Sequence, residues 1–381
     1  MKKIYLDYAA TTPVAEEVFK EMKPFFSSEY GNAASLHSLG AEAKEAIENA
    51  RTKISKKANA KNHRLIFTSG GTESNNFALK GIACANKNKG KHIITTKIEH
   101  DCVLNSAKWL ETQGFEVTYL SVDKEGFVNL SELEKAIRKD TLLVSVIHGN
   151  NEIGTIQNLR EIGKIAHDKG ALFHTDACQS FTKTVIDLEN DNIDLMTINA
   201  HKIYGPKGVG GLFIREGIRV YPLLHGGGHE LGQRSGTSNV PGIVGFGAAV
   251  DIIKEKDIEN MSKLRDYMIN KLSDIEKSWL NGPKENKRLC NNINVSFKHI
   301  EGESILLHLD NKGIAVSTGS ACSSNTLEPS HVLKAIGLKT EDTHGTIRIT
   351  LGRETTKEEV NYTIDNIKET VNKLREMSPF K

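Results

Sequence analysis

The sequence is poor in the features that mark secreted, membrane-bound or disordered chains. Its 381 residues carry five cysteines (Cys84, Cys102, Cys178, Cys290 and Cys322), odd in number, scattered and without C-x-x-C spacing. That pattern excludes a secreted disulfide framework and a structural zinc site. There is no low-complexity tract, no internal repeat and no Pro/Ser-rich linker. No apolar run approaches the roughly 20 residues that a membrane helix needs. The first residues include two lysines but no apolar stretch of signal-peptide length. Charge of one sign is also lacking: 50 Lys plus Arg stand against 48 Asp plus Glu, a formal net charge of +2. Such balance argues against a dedicated nucleic-acid or membrane-surface binder. A soluble globular protein of a reducing, cytoplasmic compartment is expected, with a sizeable core.

What is present is an alternation. Leu65-Ile66-Phe67-Thr68 is a short apolar run stopped by Gly70-Gly71, and residues 92–96, 115–120, 142–148, 171–175 and 193–198 repeat the type. Amphipathic stretches such as 159–169 lie between them, and Ser131 with Glu134 reads as a capping box. Near-continuous apolar strands separated by helices predict an α/β fold, a mostly parallel sheet flanked by helices. After about residue 245 a long helical stretch (252–275) leads into strands at 293–297, 314–316 and 346–351. A last helix starts near Thr356 with Glu359 completing a second capping box, its apolar positions Val360, Ile364, Ile367, Val371 and Leu374 on one face. The expected division is a large α/β domain at 15–250 and a smaller α+β domain made of 1–14 plus 251–381.

Several segments could carry chemistry. Ser69-Gly70-Gly71-Thr72-Glu73-Ser74 follows a strand and opens a helix, where free N–H groups and the positive helix end favour a phosphate. It is equally a plain Gly-rich turn, and the segment alone leaves both readings open. Asp176 ends a strand, on the edge where ligands of open parallel sheets bind. There it could hold a pyridine nitrogen protonated or simply cap the next turn. Lys202, in Asn199-Ala200-His201-Lys202-Ile203-Tyr204-Gly205-Pro206-Lys207-Gly208, follows another strand. The crowded turn could lower its pKa for Schiff-base chemistry, although most lysines are solvated surface groups. Cys84 and Cys102 are expected as small core hydrophobes, and Cys178 as a neighbour of Asp176. Cys322 lies in a small, polar stretch, Ser317 to Thr326, which suits a reactive thiol. His225 and His229 flank three glycines, so a helical metal face is not expected; Arg234-Ser235-Gly236-Thr237 beyond them could reach a phosphate.

In this order the segments resemble the cysteine desulfurases of the NifS/IscS-like class (group I), within the aminotransferase-like fold type I. The resemblance runs from Tyr5-Leu6-Asp7-Tyr8-Ala9-Ala10-Thr11-Thr12-Pro13 to Arg348-Ile349-Thr350-Leu351-Gly352-Arg353 and the helix after it. Its specific motifs are Thr72-Glu73-Ser74-Asn75-Asn76, Asn150-Asn151-Glu152-Ile153-Gly154, Ala200-His201-Lys202 with Gly205-Pro206-Lys207-Gly208, and Gly319-Ser320-Ala321-Cys322.

The resemblance implies pyridoxal 5'-phosphate as cofactor, with Lys202 as its Schiff-base lysine and Asp176 on the pyridine nitrogen. It gives the phosphate to Gly71, Thr72, His201 and, from a partner subunit, Thr237. Asn199 stands where relatives usually carry a phosphate-binding Ser. His100 would stack on the ring and assist proton transfer, and Asn151 and Gln179 would contact ring substituents. Arg348, beside Asn151, would bind the substrate carboxylate.

Cys322 would be the nucleophile that takes the sulfur of L-cysteine as a persulfide, leaving L-alanine. Its surroundings look like the longer-loop class, and it could ligate a transient iron–sulfur cluster; no resident metal is implied. A homodimer and a sulfur-accepting scaffold or carrier protein are the implied partners, serving iron–sulfur clusters or thiolated tRNA. The sequence ends soon after Pro379, without the longer tail by which some relatives dock a scaffold. Alternatives of the same fold are a selenocysteine lyase, an aminotransferase or a non-catalytic scaffold; Cys322 discriminates against the first two and the intact catalytic set against the last.

Overall fold

The computed structural model describes residues 3–318 and 329–377. Its first strands are β1 (Ile4–Tyr5), β2 (His63–Thr68), β3 (His92–Thr96), β4 (Glu116–Leu120), β5 (Thr141–Ser145) and β6 (Leu172–Asp176). Then come β7 (Leu195–Asn199), β8 (Gly210–Arg215), β9 (Ser278–Leu280), β10 (Asn292–Phe297), β11 (Ile314–Ala315) and β12 (Thr346–Thr350). Among the described residues seven of these form one sheet in the order β2-β8-β7-β6-β5-β3-β4. The β3–β4, β3–β5, β5–β6 and β6–β7 pairs are parallel, while β8 runs antiparallel to both of its neighbours. The fold is therefore α/β with a mostly parallel sheet, as the apolar runs predict.

A parallel sheet needs cover on both faces, and the alternation of side chains supplies it. Ile66, Ile93, Leu143, Leu195 and Leu212 face the helices Gly71–Asn86 and Asp101–Thr112, meeting Phe77, Ile82, Val103 and Leu110. Leu65, Phe67, Val144, Phe173 and Met196 point the other way. There they meet Leu159 and Ile162 of the helix Leu159–Asp168, and Ile47 and Phe246 of the helices Ser38–Lys57 and Val240–Ala249. Each such side chain stabilises the fold by about 1.5–3 kcal/mol when fully buried.

Beyond the large sheet, β12-β10-β9 form an antiparallel three-stranded sheet, and β1 pairs with β11 in parallel. The last helix, Lys357–Met377, begins where Thr356 and Glu359 exchange hydrogen bonds, Thr356 N–H to Glu359 Oε2 at 3.1 Å and Glu359 N–H to Thr356 Oγ1 at 3.2 Å. Its Val360, Ile364, Ile367 and Val371 share a core with Ile293, Val295 and Ile347.

Three local expectations are corrected. The helix Leu130–Ala136 is capped by Asn129, whose side chain accepts from the N–H groups of Ser131 and Glu132, and not by a Ser131–Glu134 box. Asn caps at least as well as Ser, and it comes two residues earlier. Cys84 is exposed rather than a core residue, because it sits on the outward side of its helix. Strand β8 starts with Gly210-Gly211, which hides it from a reading based on β-branched and aromatic runs. The glycine is needed there: a Cβ at Gly210 would lie 2.7 Å from the Cα of Gly70. Among the described residues no helix is long and apolar enough to cross a membrane.

The helices Ser38–Lys57 and Val240–Ala249 touch through small residues, and a Cβ at Gly247 would lie 2.7 Å from the Cα of Ala50. Helix propensity favours Ala over Gly by about 1 kcal/mol, whereas forcing two backbones apart costs about 1–3 kcal/mol. Gly247→Ala is therefore expected to lower the urea midpoint without changing the slope of the transition. An unchanged or higher midpoint would show that the helices separate without cost.

Candidate active site

The carboxyl ends of the parallel strands converge on one edge of the large sheet, where open α/β folds hold ligands. Each strand delivers a side chain to that edge as it ends. Asp176 is the last residue of β6 and Asn199 the last of β7; Lys202 follows three residues on. His100 caps the helix after β3, Asn151 lies beyond β5, and Gly71 opens the helix after β2. They line one cavity of about 280 Å³ together with Thr72, Gln179, His201 and Arg348. Two predicted residues are not in this group. Thr237 is exposed and does not line the cavity, and Cys322 lies outside the described residues.

At one end of the cavity, Asp176 is buried and its carboxylate is held from both sides. Oδ1 accepts the Cys178 N–H at 2.9 Å and Oδ2 accepts the Asn75 amide at 2.6 Å. The same Asn75 amide reaches Cys102 Sγ at 3.1 Å, and Cys102 lines the cavity. Cys102 packs against the core as expected, and it also lines the cavity, because it lies in the first turn of a helix that starts at the sheet edge. Burial and the Asp176 charge push the Cys178 thiol well above its usual range, so it stays protonated.

Lys202 sits between this end and Arg348. Its ammonium donates to the carbonyls of Ala9 and Ala10, the latter at 2.6 Å. Burial, and next the Arg348 charge, lower its pKa to about 8. His201 beside it is pushed down to about 4 by burial and then by Lys202, so its imidazole is neutral. Its Nδ1 lies 3.2 Å from Thr11 Oγ1. The imidazole Nδ1 of His100 accepts the N–H of Cys102 at 3.2 Å. A neutral His100 ring therefore carries its proton on Nε2.

Arg348 is buried, and it is fixed from two elements far away in sequence. It donates to Asp7 Oδ1 at 3.0 Å and to the Asn151 carbonyl at 3.1 Å. Sequence reasoning gave no role to Asp7, Asn75, Ala9 or Ala10. Asp7, Ala9 and Ala10 lie in the first quoted segment and Asn75 in the second, but residue type and spacing alone do not signal contacts across the chain.

The chain belongs to the aminotransferase class-V family, whose profile matches residues 4–363. Among curated relatives, a protein named cysteine desulfurase IscS from Dictyoglomus turgidum is 54% identical over 384 residues, covering 100% of this chain and 97% of its own. Of solved structures, one titled NifS-like protein superposes with a TM-score of 0.91 at 39% identity, covering 98% of this chain and 100% of that one. A second, titled SspA in complex with cysteine, gives a TM-score of 0.83 at 39% identity, covering 93% of this chain and 100% of that one.

Pyridoxal 5'-phosphate is the cofactor of these enzymes, and the cavity fits it. Gly71 leaves the helix N-terminus bare where a Cβ would meet Cys178 Sγ at 2.6 Å and Asn199 Nδ2 at 3.4 Å. A phosphate there meets backbone N–H groups and the positive helix end. The side-chain oxygens of Asn151 and Asn199 are buried without a partner, polar atoms that a polar ligand can satisfy. Asp176 and Lys202 both line it, a carboxylate for a pyridine nitrogen and an amine for an aldehyde.

The lowered pKa of Lys202 has a sign that can be tested in the cofactor-free protein. Between about pH 8 and its ordinary value of 10.5 the unfolded chain keeps the lysine proton and the folded chain does not. Stability therefore rises with pH across that window; the cost of the buried charge is fully present below about pH 8. Urea midpoints at pH 7.5 and 9.5 should rise more for the wild type than for Lys202→Met. Equal pH dependence in the two proteins would contradict a buried, depressed amine.

Proposed function

We propose that the protein is a cysteine desulfurase that converts L-cysteine to L-alanine and carries the sulfur as a persulfide on Cys322. The observation that carries the reading is the convergence on one cavity of Lys202, Asp176, His100 and Arg348 in a chain about half identical to relatives of that name. The solved relative holding cysteine supports the substrate.

The site residues divide the work. Arg348, buried and pre-oriented by Asp7 and the Asn151 carbonyl, binds the substrate carboxylate with its remaining guanidinium donors; its Nε is buried without a partner. When bound, the cofactor supplies an aldehyde that condenses with amines and a ring that withdraws electrons from the α-carbon. Asp176, held by Asn75 and Cys178, keeps a proton on the pyridine nitrogen. Gly71, Thr72, Asn199 and His201 hold the phosphate, with Thr237 of a second copy, and Gln179 and Asn151 meet the ring substituents. Lys202 and the Nε2 proton of His100 serve the α-proton transfers, the Lys202 amine as base in its neutral form.

The Cys322 thiolate then attacks the substrate sulfur. An S–S bond forms, the Cβ–S bond breaks, and Cβ ends as the methyl of alanine. Cysteine plus thiol gives alanine plus persulfide, so no outside oxidant or reductant is needed. The persulfide passes to a scaffold or carrier protein for iron–sulfur clusters or thiolated tRNA, and Cys322 is the candidate ligand of a transient cluster.

A homodimer is supported by the large apolar side chains left exposed at Phe26, Tyr30, Leu36, Leu224 and Leu231. The division into residues 15–250 and 1–14 plus 251–381 is supported by the pairing of β1 with β11 and by the Asp7–Thr350 bridge. Free thiols at Cys84, Cys102, Cys178 and Cys290 support a reducing, cytoplasmic setting.

The test is product analysis with L-cysteine and a reductant. The holoenzyme is expected to release alanine and sulfide in equal amounts, and Cys322→Ser neither. Bound cofactor with no alanine would redirect the reading to another reaction of this fold. Sulfide at an undiminished rate from Cys322→Ser would remove the persulfide step.

A further inference from the structure

Glu73 is a carboxylate at the end of the helix Gly71–Asn86 where a phosphate is to bind, and no step above uses it. It stands in the first turn, next to Thr72. The positive end of a helix favours a negative side chain there, and the Glu73 Oε2 accepts the Ser69 N–H at 2.7 Å. A phosphate monoester brings about two more negative charges to the same turn. Like charges held close disfavour one another. A bare carboxylate at this place would therefore oppose the ligand that the helix end attracts.

Glu73 is not bare. Arg234 donates to both of its oxygens, Nε to Oε1 at 2.8 Å and Nη2 to Oε2 at 3.1 Å. Such a forked pair fixes geometry as well as charge. It is partly shielded from water, with 22% of the Arg234 side chain and 16% of the Glu73 side chain exposed. Burial pushes the Glu73 carboxyl up, but the hydrogen bonds from Arg234 and Ser69 more than reverse this and hold it below its usual range. The carboxylate is anionic, and its charge is cancelled by a residue 161 positions further along the chain.

The segment that delivers Arg234 is itself clamped. Glu230 accepts the Phe67 N–H at 2.9 Å and pairs with Arg51 through both oxygens, at 2.9 and 3.0 Å. Glu230 and Leu231 hold left-handed backbone, with φ of 47° and 59°, which residues other than glycine seldom adopt. Strain of this kind persists where surrounding contacts over-determine it. Here the ion pairs of Glu230 and Arg234 lie on either side of Leu231.

We propose that Arg234 is a positioning residue for cofactor binding: it neutralises Glu73, so that the helix end at Gly71 and Thr72 receives the phosphate unopposed. This rests on the phosphate placement above. Because Arg234 acts through Glu73, the two members of the pair have unequal worth. Without the guanidinium, the phosphate meets an uncompensated carboxylate. Without the carboxylate, the repulsion is gone and the guanidinium charge remains in the phosphate's favour.

The experiment titrates apoproteins of the wild type, Arg234→Gln, Glu73→Gln and the double variant with pyridoxal 5'-phosphate, followed by the absorbance of the bound cofactor. A parallel titration uses pyridoxal, which lacks the phosphate. Arg234→Gln is expected to weaken pyridoxal 5'-phosphate binding about ten- to thirtyfold. Pyridoxal binding should stay within about twofold of the wild type. Glu73→Gln, whose amide oxygen can still accept the Ser69 N–H, should bind the cofactor at least as tightly as the wild type. Added to Arg234→Gln, it should restore affinity to within a few-fold. The inference is overturned if Glu73→Gln weakens binding as much as Arg234→Gln and the double variant shows no rescue. That is the outcome for an ion pair that only holds the segment in place. It is also overturned if Arg234→Gln binds the cofactor as the wild type does, or loses pyridoxal equally. A wild type that binds pyridoxal as tightly as pyridoxal 5'-phosphate removes the phosphate placement itself.

Discussion

An amine largely buried in the cavity beside a guanidinium is the constraint around which the site is arranged. Lys202 and Arg348 carry like charge, and burial raises the cost of keeping both protonated. The fold resolves the conflict by letting Lys202 drop toward about pH 8 while two carbonyls of the first segment hold its hydrogens. Arg348 keeps its charge and is given Asp7. The first residues of the chain are therefore part of the site: Asp7 satisfies the arginine, and Ala9 and Ala10 orient the lysine. Strand β1 secures that segment against β11, the strand that leads to Ser317. The first strand thus ties the segment that holds the lysine to the strand that leads to Ser317, the backbone partner of Arg348.

The electrostatics of the far end follow the same logic in reverse. Asp176, the residue proposed to keep a ring nitrogen protonated, is nearly enclosed. Two donors, the Cys178 N–H and the Asn75 amide, compensate for lost water without adding positive charge. A full counter-ion in contact would compete with the pyridinium for the carboxylate. Neutral donors leave the negative charge available. His201, by contrast, is kept neutral by burial and then by the Lys202 charge, so its side of the cavity offers hydrogen bonds and a helix terminus rather than a tight ion pair.

Much of this was readable from the sequence, and the exceptions have physical causes. The strands were legible because parallel strands buried on both faces read as apolar runs; every residue of β5 and β7 is buried. Asp176 and Lys202 stood out because one ends and the other follows such a run on the ligand side, whereas His100 came only through the resemblance. Strand β8 was hidden since close approach to Gly70 demands glycine, which erases the strand signal. The cavity contact of Cys102 was not foreseen because helical position speaks for packing on the core, while the first turn of a helix at the sheet edge also borders the cavity. The Asp7–Arg348 pair spans 341 residues, and no local pattern encodes it.

The contacts around Glu152 extend that lesson to the turn that carries Asn151. Groups at strand ends and helix starts hold their places because packing fixes the backbone there. Ser317 is held by backbone pairing to Arg348, a bond independent of side-chain identity. Ser330 is held by a hydroxyl on a buried carboxylate, a bond that one oxygen atom removes. The second contact is thus the adjustable one: residue choice at 152 and 330 sets whether it forms.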